Sequence, residues 1–110
     1  MDVTLERLDD AEDVEIVVET HDFTLADPDF VIGRADDCDL QLESDFVSRH
    51  HCRLIVDDRD RVVTVLDLGS HNGTFVNDGP VAGERRLKDG DKLVIGCIPF
   101  AVHIAVPAWP

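Results

Sequence analysis

The sequence predicts an all-β fold, a sandwich of antiparallel sheets, and three observations support this. Short runs that are apolar or alternating, and rich in β-branched residues, recur along the chain. Glycine, proline, asparagine and aspartate separate these runs at close spacing. No apolar stripe with a 3.6-residue period is long enough for a helix of any size. A chain of 110 residues, 44% of them hydrophobic, can bury one core but not two, so we expect a single domain.

Five of the expected strands fall within residues 14–67. Each is short, and the fourth alternates strictly through Cys52, Leu54 and Val56. Gly33 ends the second, where Arg34 leaves the sheet. The last two are joined by an acidic turn and are therefore expected to pair antiparallel. The five predicted strands are residues 14–19, 30–33, 40–42, 51–56 and 62–67.

The second half of the chain continues the same pattern of short strands and turns. Asparagine, aspartate, glycine and proline at residues 77–80 and 88–91 predict turns, and Gly96 interrupts an apolar run. The remaining predicted strands are residues 74–76, 81–87, 93–95 and 98–106. We expect the folded domain to span residues 14–106. Residues 1–13 are acidic and show no sustained period, so we expect a flexible N-terminal segment.

The charge of the chain limits the classes of partner. With 24 acidic against 10 basic residues, the formal net charge is −14. Nucleic acids and anionic membranes require a basic surface, so neither is an expected partner. The aspartate-rich, lysine-poor composition is similar to that of halophilic proteins; an ordinary acidic bacterial domain is the alternative. No apolar run approaches 18 residues and no leader is apparent, so a cytoplasmic location is expected.

The three cysteines do not predict a disulfide framework. They lie far apart, no CxxC pair occurs, and their number is odd. Cys52 and Cys97 have apolar neighbours and are expected in the core. Cys38 lies in a polar loop and is the expected exposed thiol.

Polar residues follow the ends of three predicted strands and could converge on an anion. They are Gly33-Arg34, the segment Ser48-Arg49-His50-His51, and the segment Ser70-His71-Asn72-Gly73-Thr74. Loops at one end of a sandwich are where binding residues are expected. A guanidinium, hydroxyl groups and an amide are the donors that a phosphate prefers.

The order Gly33-Arg34, Ser48-Arg49-x-His51, Asn72-Gly73-Thr74 and Leu87-x-x-Gly90-Asp91-x-Leu93-x-Ile95-Gly96 resembles the forkhead-associated (FHA) domain family, over roughly residues 14–105. The resemblance implies an FHA/SMAD-like antiparallel β-sandwich of about 10–11 short strands, without enzymatic activity or cofactor. It implies a signalling module that binds a phosphothreonine-containing protein or peptide, which a Ser/Thr kinase has phosphorylated. By resemblance, the phosphopeptide-binding residues are Arg34, Ser48, Arg49, His71 and Asn72.

The chemistry of the two principal anion-binding candidates supports a phosphate-binding role, and each also has an alternative role. Arg34 offers a planar fork of donors that stays charged; an ion pair with Asp36 or Asp37 is the alternative. The Ser48 hydroxyl can donate to a phosphate oxygen, or it can merely shape a turn. Arg49 adds a second cation.

The remaining candidates are expected to hold the peptide main chain or the loops. Asn72 both donates and accepts, and can pair with an extended peptide, or it can cap its own turn. The loop-structuring candidates are Gly33, His51, Gly73 and Thr74. His50 points the opposite way from His51, towards either the ligand or solvent. Phe46 and Val47 precede Ser48 and favour an apolar peptide residue three positions after the phosphothreonine.

The sequence gives weaker support to three other functions. A serine nucleophile at Ser48 with a histidine base has no glycine elbow or oxyanion hole. Cys38, His50, His51, Cys52 and His71 show no standard ligand spacing, so no metal site is predicted. An FHA scaffold that binds protein without phosphate, or that is self-inhibited by phosphorylation at Thr4 or Thr20, is the main alternative.

Overall fold

The computed structural model of the protein describes residues 2–8, 15–19, 29–57 and 59–105. Within these ranges the chain forms two packed β-sheets and no helix, which confirms the predicted all-β sandwich. No helix capable of spanning a membrane occurs among the described residues.

Eleven strands are defined in the described part of the chain, and most match the predicted segments to within two residues. The strands are β1 (Asp2–Arg7), β2 (Glu15–Glu19), β3 (Asp29–Gly33), β4 (Leu40–Gln41), β5 (Cys52–Asp57), β6 (Val62–Asp67), β7 (Thr74–Val76), β8 (Gly79–Pro80), β9 (Glu84–Leu87), β10 (Lys92–Ile95) and β11 (Ile98–Ala105). One sheet has the order β2-β1-β11-β10-β7-β8, and the other has the order β4-β3-β5-β6-β9.

One strand pair departs from the expected antiparallel arrangement. The two-residue strand β4 pairs parallel to β3, with Ile32 opposite Leu40. Residues 34–39 form a compact turn that brings the chain back beside β3. The Asp39 carboxylate fixes this turn by accepting the Val31 N–H at 2.8 Å. Every other pair is antiparallel within the described strands.

The prediction of a flexible segment at residues 1–13 is wrong for residues 2–7. These residues form β1, which lies between β2 and β11. Val3 and Leu5 are fully buried, because they alternate with polar neighbours and face the core. Thr4 pairs with Val17 and His103 inside this sheet, so it does not lie on a free tail that could reach the loops. Residue 1, residues 9–14 and Thr20 lie outside the described residues.

The core is built from alternate residues of both sheets. Phe100, Leu93 and Ile95 from one sheet meet Ile32 and Leu54 from the other, all fully buried. Each such side chain stabilises the fold by about 1.5–3 kcal/mol on removal from water. This apolar interior gives the loops at its end a rigid support.

The cysteine predictions are partly correct. Cys52 is buried in β5, as predicted, whereas Cys38, the candidate expected to be more exposed, is only half-buried. The expectation of a buried Cys97 is wrong, since this residue is exposed in the tight turn between β10 and β11.

Candidate functional site

Three loops meet at one end of the sandwich and are tied together by backbone hydrogen bonds. We call residues 34–39 the first loop, 42–51 the second and 68–73 the third. The Arg34 N–H donates to the Ser48 carbonyl at 2.9 Å, and the Ala35 N–H donates to the Arg49 carbonyl at 3.0 Å. The His71 N–H donates to Ser48 Oγ at 3.0 Å, which joins the third loop to the second. The loops therefore behave as one unit.

The residues expected to bind a phosphopeptide largely converge. Arg34, Ser48, His71 and Asn72 line one hollow of about 230 Å³. The same hollow is lined by Asp45, Phe46 and Val47. A guanidinium, a hydroxyl and a carboxamide from three separate loops thus open on one space.

Gly33 permits the close approach of the first and second loops. A Cβ atom at this position would lie 2.1 Å from the Arg49 carbonyl oxygen and 2.8 Å from its carbon. Both atoms belong to the backbone and cannot rotate away, so only glycine fits without displacing the second loop. This accounts physically for the loop-structuring role predicted for Gly33.

His51 is fully buried at the end of the second loop, immediately before β5, and connects the second and third loops. Its Nδ1 accepts the Ser48 N–H at 3.0 Å, and its Nε2 donates to the Gly73 carbonyl at 2.8 Å. Because the Ser48 amide is a donor, Nδ1 must be unprotonated and the ring proton must sit on Nε2. The imidazole therefore holds Ser48 and Gly73 in place and does not face the hollow.

Asp67, at the end of β6, organises the third loop and was not predicted as a site residue. Its carboxylate accepts from the hydroxyls of Ser70 and Thr74 and from the N–H groups of Gly69 and Ser70. Burial raises the pKa of Asp67, but these hydrogen bonds outweigh it, so the pKa lies below its ordinary value. The Asp-x-Gly-Ser sequence, typical of a side-chain-capped turn, was the available signal.

Thr74 and Gly73 have the structural positions expected of loop-structuring residues. The Thr74 hydroxyl donates to Asp67 Oδ1 at 2.8 Å. Gly73 has a φ of 90°, which side-chain-bearing residues rarely adopt, and its carbonyl accepts from His51.

The Ser48 hydroxyl is oriented for donation. Its oxygen accepts the His71 N–H at 3.0 Å, which fixes one side of the hydroxyl. The hydroxyl proton makes no hydrogen bond to any described residue and remains able to donate into the hollow. The third loop thus positions the donor that the second loop supplies.

Asn72 retains three of its four side-chain hydrogen-bonding sites. One N–H of its amide donates to the Phe46 carbonyl at 2.9 Å. Its second N–H and its Oδ1 make no bond to the described part of the chain. Gly96 packs beneath the same carbonyl, since a Cβ there would lie 2.5 Å from the Phe46 oxygen. The Asn72 side chain is therefore held in place yet can pair with a bound main chain.

The cationic and histidine side chains divide between two hollows. Arg34 is exposed and forms no ion pair with a described residue, so the alternative pairing with Asp36 or Asp37 is not seen. It also lines a larger hollow of about 670 Å³, and Arg49 lines only this larger one. His50 faces away from the smaller hollow and pairs with Asp37 through Nε2 at 2.9 Å. Arg49 therefore does not line the hollow that Ser48 and Asn72 share.

The chain belongs to the FHA domain family, whose sequence profile matches residues 30–96. Among characterised relatives, the FHA domain-containing protein FhaB of Mycobacterium tuberculosis is 40% identical over 73 residues, 66% of this chain and 46% of FhaB. The oxoglutarate dehydrogenase inhibitor of Corynebacterium efficiens is 35% identical over 86 residues, 78% of this chain and 58% of the inhibitor. The chain therefore spans about half the length of the relatives it matches.

Solved FHA domains share the fold over nearly the whole chain. One, from a study of phosphothreonine-dependent FHA domain interactions, aligns with a TM-score of 0.82 and 31% identity, covering 97% of this chain and 100% of its own. The FhaA FHA domain complexed with the intracellular domain of Rv3910 aligns with a TM-score of 0.74 and 34% identity, covering 92% of this chain and 99% of its own. These matches agree with the resemblance found in the sequence.

Proposed function

We propose that this domain binds proteins or peptides that carry phosphothreonine, produced by a Ser/Thr kinase in the cytoplasm. The observation that carries the proposal is the convergence of Arg34, Ser48 and Asn72 on one hollow, each with unused hydrogen-bonding capacity. The phosphate lies against Arg34 and the Ser48 hydroxyl. Asn72 pairs with the peptide main chain. The domain acts as a recognition module and not as an enzyme.

The chemistry of these groups suits a phosphate ester. A phosphothreonine carries about −1.5 to −2 charges and three strong acceptor oxygens. Arg34 presents a charged, planar donor fork, and Ser48 adds a hydroxyl donor. Each hydrogen bond to a charged group contributes about 1.5–3 kcal/mol, which offsets the repulsion from an acidic surface.

His71 and Arg49 have secondary roles in this proposal. The His71 backbone N–H fixes Ser48, and its side chain flanks the phosphothreonine because it lines the same hollow. Arg49 acts from the larger hollow on the other side of Arg34, where it raises the local potential. We expect its loss to matter less than that of Arg34.

A peptide residue beyond the phosphothreonine contacts Phe46. This side chain is 58% exposed and lines the hollow beside Ser48. Packing an apolar partner against an exposed aromatic ring removes the ring from water and lowers the free energy of the complex. We therefore propose a preference for an apolar residue three positions after the phosphothreonine.

Similar proteins support this proposal. One structural relative comes from work on phosphothreonine-dependent FHA domain interactions, and another, Mycobacterium tuberculosis EmbR at 26% identity, was solved in complex with a low-affinity phosphopeptide.

An oriented phosphothreonine-peptide library, followed by fluorescence anisotropy on the selected peptides, tests the proposal. Phosphorylated peptides should bind, whereas the same peptides with bare threonine should not. Arg34→Ala should abolish binding. Arg86→Ala is the matched control, because Arg86 is exposed on β9 and lines neither hollow. Equal binding of phosphorylated and bare peptides would instead support a phosphate-independent module.

A further inference from the structure

Beside the larger hollow, two loops bring together three side chains with different metal-binding atoms. Asp37 and Cys38 belong to the first loop, and His50 belongs to the second. Among the described residues, their carboxylate oxygen, thiol sulfur and imidazole nitrogen all lie within 4.8 Å of one another. Adjacency in sequence did not reveal this group, since His50 is far from the other two along the chain.

The backbone that carries these groups is held in place. The Cys38 N–H donates to the Ala35 carbonyl at 3.2 Å, and the Ala35 N–H donates to the Arg49 carbonyl at 3.0 Å. The Cys38 thiol donates to the same Arg49 carbonyl at 3.2 Å. His50 Nε2 lies 2.9 Å and 3.1 Å from the two Asp37 oxygens. The three groups are thus assembled before any ligand arrives.

The spacing of the atoms is close to that of a tetrahedral zinc site. With Zn–S about 2.3 Å and Zn–N or Zn–O about 2.0–2.2 Å, two ligand atoms on one tetrahedral ion lie roughly 3.4–3.7 Å apart. The Asp37–His50 pair must open slightly, and no other separation must close by more than about 1 Å. Both shifts are within the reach of side-chain rotation at half-buried and exposed positions.

The donor set favours a borderline transition metal over calcium or magnesium. Calcium and magnesium prefer sites made of oxygen alone. Thiolates, imidazoles and carboxylates are the three kinds of side-chain group that bind zinc in proteins. The neighbouring acids Asp36 and Asp39 add negative potential that attracts a cation, in a chain whose net charge is −14.

We propose that Asp37, Cys38 and His50 form a binding site for one Zn²⁺ ion, with water in the fourth position. On binding, the Cys38 thiol releases its proton to solvent, and its hydrogen bond to the Arg49 carbonyl is replaced by the S–Zn bond. His50 binds as neutral imidazole through Nε2: the Nε2 proton that faces Asp37 is given up to solvent while Nδ1 takes one up, so this tautomer change releases no net proton. No redox change is involved.

The site would link metal binding to ligand recognition, a consequence that rests on the proposed function. It bridges the first loop, which carries Arg34, and the second, which carries Arg49. Gain of Zn²⁺ and loss of one proton raise the local charge by one unit. One unit charge about 8–10 Å from a phosphate of −1.5 to −2 should tighten phosphopeptide binding by about three- to six-fold at low salt, and by less as salt screens it.

Calorimetric titration of the full chain with Zn²⁺ tests the site directly. We expect saturable binding of one equivalent. Cys38→Ser and His50→Asn should each remove it. Cys97→Ser and His103→Asn are the matched controls, because Cys97 is an exposed thiol and His103 an exposed histidine paired with Glu6, and neither belongs to the trio. With Co²⁺ in place of Zn²⁺, thiolate-to-metal charge-transfer absorption should appear in the wild type and vanish in Cys38→Ser.

Two results would overturn the proposal. One is the absence of a saturable one-equivalent event in the wild-type titration. The other is Zn²⁺ binding that persists in the Cys38→Ser/His50→Asn double variant, since this would place the metal elsewhere on the acidic surface. If Cys38→Ser fails to fold by circular dichroism, His50→Asn at an exposed position carries the test. Arg34→Ala should keep Zn²⁺ binding while losing phosphopeptide binding, which separates failure of this site from failure of the proposed function.

Discussion

Substitution of Gly33 by alanine should damage both stability and recognition. The added Cβ would lie 2.1 Å from the Arg49 carbonyl oxygen. Ordinary contact therefore requires the second loop to retreat by about 1 Å or more. That movement breaks the hydrogen bonds from the Arg34 and Ala35 amides to the second loop. It also shifts Ser48 relative to Arg34.

The expected magnitude follows from these losses. Two backbone hydrogen bonds contribute about 0.5–1.5 kcal/mol each, and overpacking adds about 1–3 kcal/mol. We expect Gly33→Ala to lower the free energy of unfolding by about 2–6 kcal/mol. A misplaced Ser48 should weaken phosphopeptide binding by at least about ten-fold, which corresponds to roughly 1.4 kcal/mol.

Urea denaturation and fluorescence anisotropy measure the two effects. Gly79→Ala is the control, because a Cβ at Gly79 meets only the end of the Arg85 side chain at 3.0 Å and the Val76 oxygen at 3.5 Å. This variant should change stability and affinity little. A Gly33→Ala protein with wild-type stability and wild-type affinity would refute the idea that close packing of the two loops creates the site.

Other predictions follow from the same contacts. Ser48→Ala should weaken phosphopeptide binding by roughly ten-fold or more, through loss of one hydrogen bond to a charged group. Anisotropy measures this, with Thr64→Ala on β6, which lines neither hollow, as the control. Asp67→Asn should lower stability by about 1–3 kcal/mol at neutral pH, measured by urea denaturation. The pKa of Asp67 is lowered in the fold, so its stabilisation is present above its ordinary pKa and is lost as pH falls through the lowered value. The two proteins should therefore converge in stability at acidic pH. Raising salt should reduce phosphopeptide affinity less than for a basic protein, because screening also weakens repulsion from the net charge of −14. A collapse of affinity in salt titrations would contradict this.

The strands that sequence analysis located best are those with clear alternation between strong turn signals. The bounds of β6 and β7 were predicted to the residue, because β-branched residues alternate there and acidic or glycine-containing turns flank them. The strand β1 was missed, since its two buried residues are too few to stand out among acids. Its strand conformation depends on pairing with β11 at the far end of the chain.

The sequence predicted those site residues that each supply one phosphate- or peptide-binding group in a loop that follows a predicted strand. Arg34, Ser48 and Asn72 were identified in this way, and the structure brings them to one hollow. Arg49 was grouped with them, but it faces the larger hollow, because adjacent residues of a loop can point to different sides. The Asp37–His50 pair is a contact between loops and left no local signal. Cys97 was misplaced because its apolar neighbours concealed a two-residue turn.

Amide chemical shifts during titration with a phosphothreonine peptide test the central claim most directly. The account predicts saturable shifts confined mainly to residues 34–35, 46–51 and 70–74, which belong to three loops, and no such shifts with the unphosphorylated peptide. Saturable shifts that appear instead on the outer strands, or that are the same for both peptides, would contradict it.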